Sequence, residues 1–252
     1  MWIDAPAPED LPGLRAVWAD AFGEEGGWLE GFFRTAFERE KCRCVTVDGA
    51  VAAGLFWFDG VCRGAKVAYL YAVATLPAFR GRGLCRRLLA DTGEYLAARS
   101  YGGMVLVPGE PGLFRFYAGL GFLECAPVRE FTAVPGPEAA SLERIGPAEY
   151  GALRRELLPP GSVIQEGASL AYLETQAELY RGGDFLLAAS REGDTLLASE
   201  LLGNAGAAPG ILTALGATRG SFRTPGDGRP YAMFRPLTPD FTAPAYFGMA
   251  FE

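Results

Sequence analysis

The chain has 252 residues, half of them hydrophobic and about a fifth charged, with a net charge of −7. That length allows one large or two small domains with a real core, the apolar content excludes a disordered chain, and the acidic balance disfavours nucleic acid and anionic membrane as partners. Histidine is absent altogether, which excludes Ser-His-Asp and Cys-His relays, HExxH zinc sites and any imidazole base.

Residues 11–22 place Leu14, Val17, Trp18, Ala21 and Phe22 at helical spacing, with Gly23 as the stop. A second helix is predicted over 28–38 through Leu29, Phe32, Phe33 and Phe37. The period then changes to two. Strands are predicted at Cys42–Val47 and Val51–Phe58 around the Asp48-Gly49 turn, and a turn at Asp59-Gly60 precedes a third strand at Lys66–Thr75. Pro77, Gly81 and Gly83 break that strand, and a helix follows with an apolar stripe of Leu84, Leu88, Leu89 and Leu96. Gly102-Gly103 is expected to end it. A short buried strand at Met104–Val107, a helix at Leu113–Leu120 and a strand at Leu123–Ala133 complete an α/β unit with a mixed sheet.

Val134-Pro-Gly-Pro137 is the best linker candidate, giving domains at 1–135 and 136–252. Helices at 147–157 and 168–181, strands at Phe185–Ser190 and Thr195–Leu202, a helix at Pro209–Leu215 and strands near Ser221–Thr224 and Tyr231–Arg235 form a shortened echo of the first half. A tandem duplication is the expectation. Five scattered cysteines, at 42, 44, 62, 85 and 125, argue against a disulfide framework, and the Cys42/Cys44 pair has too few ligands for a metal. The start Met1-Trp2-Ile3-Asp4 does not read as a signal peptide and no apolar run approaches the ~20 residues of a membrane helix, so the expected location is cytoplasmic.

Chemistry concentrates at Val73-Ala-Thr-Leu-Pro-Ala-Phe-Arg-Gly-Arg-Gly-Leu-Cys85, a strand, a glycine turn and a helix start. The first N–H groups of a helix lack partners inside it, and the helix dipole adds partial positive charge there, so a phosphate fits. The segment is neither the dinucleotide GxGxxG, since Arg86 takes the third glycine position, nor a P-loop, since it lacks GK[ST]. About thirty residues on comes Leu113-Phe-Arg-Phe-Tyr-Ala-Gly-Leu-Gly-Phe122.

Together these segments resemble the GNAT superfamily of acyl-CoA N-acyltransferases, whose V-x-P-x-x-R-G-x-G and F-Y-x-x-x-G-F segments they match over most of residues 1–135. Thr75 stands at the family's valine, and Cys85 where many members have Gly or Ala. These departures, and a second half without an RGxG, are similar to tandem members of the enhanced-intracellular-survival type, although the chain has no room for their third domain. The resemblance implies a GNAT-like mixed central sheet flanked by helices, followed by a degenerate GNAT-like α/β domain. It implies acetyl-CoA as co-substrate, no metal, and a small-molecule or peptide amine as acceptor; a second copy of the chain is left open as a partner.

Carried over by position, the resemblance assigns pantetheine contacts to Val73, Ala74 and Thr75. The pyrophosphate falls to Arg80, Gly81, Arg82, Gly83, Leu84 and Cys85. Tyr117 becomes the acid that protonates the departing thiolate, a suitable task for a phenol of pKa ~10. The base must be Glu, Asp, Tyr or a terminal carboxylate. Ala245-Tyr-Phe-Gly-Met-Ala-Phe-Glu252 is too apolar to dangle and is expected to dock; in the subgroup a terminal carboxylate reaches the active site, which points to Glu252. Tyr69 and Tyr71 either line the acceptor groove or pack the core, and Glu110 is either an exposed turn carboxylate or an active-site group. Cys85 is expected to be structural. The rival function is a non-catalytic acyl-CoA-binding or regulatory protein that lost its acceptor.

Overall fold

The computed structural model describes residues 1–23 and 27–251 of the chain. In chain order the elements are β1 (Trp2–Asp4), α1 (Leu11–Phe22), α2 (Trp28–Thr35), β2 (Cys42–Val47), β3 (Ala50–Cys62), β4 (Ala65–Thr75), α3 (Leu84–Ala97), β5 (Tyr101–Leu106), α4 (Pro111–Ala118) and β6 (Leu123–Ala133). The second half adds β7 (Leu142–Arg144), α5 (Pro147–Leu157), β8 (Ile164–Gln165), α6 (Ala168–Glu174), β9 (Glu178–Gly182), β10 (Phe185–Glu192), β11 (Thr195–Gly203), α7 (Ala208–Leu215), β12 (Arg219–Pro225) and β13 (Arg229–Pro236). Among the described residues no helix is long and apolar enough to cross a membrane.

The strands form one sheet of order β1-β2-β3-β4-β5-β13-β6-β12-β11-β10-β9-β7, with β8 paired to the end of β3. This order reads alike from both ends. Neighbours pair antiparallel except β4 with β5 and β11 with β12, which occupy matching places and are parallel. The centre is exchanged: β13, the last strand of the second half, lies between β5 and β6, while β6 pairs with β12. Such pseudo-symmetry is what a tandem duplication predicts, and strand pairing joins the two halves into one sheet.

The α3 stripe behaves as its spacing requires. Leu84, Leu88, Leu89 and Leu96 are buried on one face of the sheet with Leu55, Trp57, Leu70 and Met104. The opposite face carries α1 and α2, whose Leu14, Val17, Trp18, Leu29 and Phe32 share a core with Phe56, Phe58, Tyr69 and Tyr71. Phe22 breaks from this pattern. It is 51% exposed, at the last residue of α1.

Three expectations are corrected. Gly102-Gly103 does not end α3, which stops at Ala97 with Ser100 at positive φ; both glycines lie inside β5. A Cβ on Gly103 would sit 2.1 Å from the Phe234 ring of β13, and one on Gly102 2.6 Å from Phe241. The glycines therefore admit aromatic rings from the second half. Gly103→Val should cost about 2–3 kcal/mol by overpacking, read as a fall in the urea midpoint.

Asp59-Gly60 likewise forms no turn. β3 runs on to Cys62, Asp59 accepts from Tyr101 Oη at 2.5 Å and pairs with Lys41 at 3.0 Å, and Gly60 leaves room for Val163 beside β8. The helix expected over 168–181 ends at Glu174, since Glu178–Gly182 is claimed by pairing with β10 and β7. Here a local helical period yields to the sheet.

The region matching the Gly81–Gly83 turn in the second half lies between β11 and α7. Asn204 caps it, accepting from Gly206 N–H at 2.9 Å and donating to Asp184 at 2.8 Å. The linker packs along the first turns of α7: Gly136 N–H donates to Pro209 O at 3.1 Å and Ala140 N–H to Gly210 O at 2.9 Å.

Candidate active site

Strands β4 and β5 pair only from Lys66/Tyr101 to Tyr69/Val105, so the C-terminal part of β4 leaves its neighbour and a wedge opens. On its other side β4 stays bonded to β3, but the register shifts between Tyr71 and Ala74, and Ala72 takes φ +48°. A bulge of this kind re-aims the strand and frees backbone groups. Tyr69–Thr75 and Leu106–Glu110 form the two sides of a cleft of about 1580 Å³.

The glycine turn closes one end of that cleft. Gly81 and Gly83 have φ +76° and +74°, conformations that suit glycine, and a Cβ at either would meet open space. Gly83 is the N-cap of α3 and makes no side-chain cap, so the N–H groups of the first helical turn point into the loop without partners from a cap. Arg80 donates from Nε to Thr75 O at 2.9 Å and faces Asp20 at 3.4 Å, which braces the loop against β4 and α1. Arg82 lies over the Phe79 ring at 5.2 Å, outside the cleft lining. Arg80, Gly81, Gly83, Leu84 and Cys85 all line the cleft, as do Val73, Ala74 and Thr75.

Tyr117 comes into the same cleft from α4, 6% exposed, against Phe116 and Phe122. Burial and the neighbouring Cys85 thiol push its phenol well above the usual range. Cys85 is itself pushed up to about 11 by burial, which keeps it a thiol at neutral pH and fits a structural role. Glu110 is the exposed residue before α4 and lines the cleft mouth. Apart from Arg82, the site residues read from the two motifs thus line one space, from β4, the glycine turn with the start of α3, and α4.

These features coincide with the results of comparison. The family model described as an acetyltransferase (GNAT) domain matches residues 3–124. That match marks residues 3–124 as similar to a GNAT acetyltransferase domain. Solved structures with a similar fold include a GCN5-related N-acetyltransferase from Anabaena variabilis, at 15% identity and TM-score 0.71, covering 94% of this chain and 73% of that one. Eis1 from Mycobacterium abscessus is similar at 13% identity and TM-score 0.65, covering 94% and 74%. A tandem GNAT protein from the clavulanic acid biosynthesis pathway aligns at 15% identity and TM-score 0.55 over 95% of this chain and all of its own. At these identities the likeness is one of fold, and it extends over both halves. No curated protein matches the sequence.

The rest of the cleft lining is rich in aromatic residues and comes from both halves. Trp18, Phe22 and Trp28 enter from α1 and α2, Arg223 from β12, Arg229, Pro230 and Tyr231 from the β13 end, and Phe251 from the C-terminal segment. Tyr69 and Tyr71 both line the cleft and pack the core, so the two readings of them are compatible. The Tyr71 and Tyr172 hydroxyls lie 2.9 Å apart; burial raises both, Tyr172 to about 12. The expected docking of the C-terminal segment is present through Phe251, whose N–H donates to Tyr69 Oη at 3.2 Å. Glu252 lies outside the described residues. Arg223, Arg229 and Tyr231 carry no sequence motif, and only the strand exchange brings them here.

Proposed function

We propose that the cleft binds acetyl-CoA and transfers the acetyl group directly to a small-molecule or peptide amine. The observation that carries this reading is the convergence of the β4–β5 wedge, the Gly81–Gly83 helix start and Tyr117 on one space. In it, Arg80, Gly81, Arg82, Gly83, Leu84 and Cys85 surround the pyrophosphate, mainly through backbone N–H groups. Val73, Ala74 and Thr75 hold the pantetheine arm as an added strand would, and a backbone N–H at the bulge stabilises the carbonyl oxygen as negative charge develops on it. The neutral amine attacks from the aromatic end, and Tyr117 gives its proton to the departing thiolate.

Glu252 is assigned the role of proton acceptor, since Phe251, the residue before it, already lines the cleft. Deleting residues 251 and 252 should abolish transfer while CoA affinity, measured by calorimetry, stays the same; unchanged turnover would remove the assignment. In the same reading residues 1–135 are the catalytic domain and 136–252 a degenerate copy that shapes the acceptor end, in a cytoplasmic enzyme. The test is thiol release from acetyl-CoA with a panel of polyamines, aminoglycosides, amino acids and peptides. CoA binding with no turnover on any of them would instead mark a non-catalytic acyl-CoA-binding protein.

A further inference from the structure

Outside the cleft, the second half holds a fully buried ionic network. Glu200 of β11 and Arg154 of α5 are 0% and 1% exposed. Glu200 receives Arg154 Nε at 2.7 Å and Nη2 at 2.9 Å, Tyr150 Oη at 2.8 Å and Tyr246 Oη at 3.1 Å. The third guanidinium nitrogen donates to Val163 O at 3.3 Å. Both carboxylate oxygens are thus fully used. Burying an ion pair of this kind gives little net stability compared with apolar residues of the same volume, but its bonds have direction.

That direction is spent on the C-terminal segment. Tyr246 belongs to it, and Gly248 passes so close that a Cβ there would lie 2.1 Å from Tyr246 Oη and 2.2 Å from Glu200 Oε1. Around this point the segment is tied to the chain before and along β8: Ala245 N–H to Gly161 O at 2.9 Å, Val163 N–H to Tyr246 O at 3.0 Å, and Gln165 Nε2 to Met249 O at 2.9 Å. β8 in turn pairs with β3 through Gly60 and Val61. Two residues past Met249, Phe251 meets Tyr69 and lies among Phe58, Tyr71 and Tyr172, with ring centroids 4.8–5.5 Å away.

We infer that Arg154, Glu200 and Tyr246 are positioning residues for acyl transfer. They fix the register of residues 245–251, and so the placement of Phe251 against Tyr69 at the acceptor end of the cleft. The inference rests on the reading of that cleft as the transfer site. It does not depend on which group accepts the amine's proton.

The test uses the full chain with an apolar plug, R154M/E200L combined with Y150F and Y246F, beside the single variants Tyr246→Phe and Gly248→Ala. The expected result for the plug is a thermal midpoint near that of the wild type, an unchanged Kd for CoA and a kcat lowered tenfold or more. Hydrogen exchange over residues 245–251 should rise at least tenfold in the plug and in Gly248→Ala. A plug that folds and retains full kcat overturns the inference. Should the plug not fold, Tyr246→Phe and Gly248→Ala decide by the same split: lower kcat with CoA Kd unchanged supports it, and equal loss of both or of neither overturns it. A wild-type chain that acetylates no amine counts against the proposed function alone; unchanged exchange in all variants counts against the anchor whatever the turnover.

Discussion

Replacing Tyr117 with Phe is expected to lower kcat for acetyl transfer by about 10²–10³, within the roughly 10²–10⁴ typical of a positioned acid. The Kd for CoA should change less than about twofold, since the ring and its contacts with Phe116 and Phe122 remain. The expected loss is specific to the hydroxyl. It lies in a cleft shared with the glycine loop, and burial raises its pKa, so the phenol stays protonated until a thiolate is expelled beside it. The sign of the shift gives a second measurement. A raised acid keeps its proton to higher pH, so the wild-type rate should show no alkaline loss from Tyr117 below about pH 10. Steady-state kinetics and calorimetry on the variant decide the matter; an unaltered kcat would leave Tyr117 as a packing residue.

A chain ended after residue 135 is expected not to fold, although it holds the whole stretch matched by the GNAT family model. Its sheet would lack β13, leaving β5 and β6 with unpaired inner edges. Tyr231, Ala232, Met233 and Phe234 are all at most 2% exposed in the full chain. Burial of the three large side chains contributes roughly 1.5–3 kcal/mol each, a loss comparable to the about 5–15 kcal/mol that holds a whole domain together. Circular dichroism and a cooperative melt would show it. A soluble 1–135 fragment with a sharp transition would mean that the exchanged strand is dispensable.

What the sequence discloses here divides by range. The glycine turn before α3 is legible because its requirements are local: positive φ at Gly81 and Gly83, a proline break, and a leucine stripe starting at Leu84. Tyr117 is singled out only by the family resemblance of its segment, since a tyrosine between two phenylalanines reads equally as packing. Gly102-Gly103 misleads because their cause is Phe234 and Phe241, over a hundred residues away, and Gly60 misleads because its cause is Val163. The second half's share of the cleft is equally hidden. Arg223 and Tyr231 look like ordinary strand residues until β12 and β13 are placed beside β6. The apolar tail is the intermediate case, where composition announces docking but says nothing of Tyr69 as its partner.

The linker along α7 also bears on what the turn after β11 can hold. Adding arginines to the segment 203–209 would bring charge to that turn, yet Gly136 and Ala140 would still be bonded to Pro209 and Gly210. The covalent join between the two halves therefore runs beside the start of the helix that occupies the place of α3 in the second half. A phosphate-binding turn built there would need a longer connection before it needed better residues.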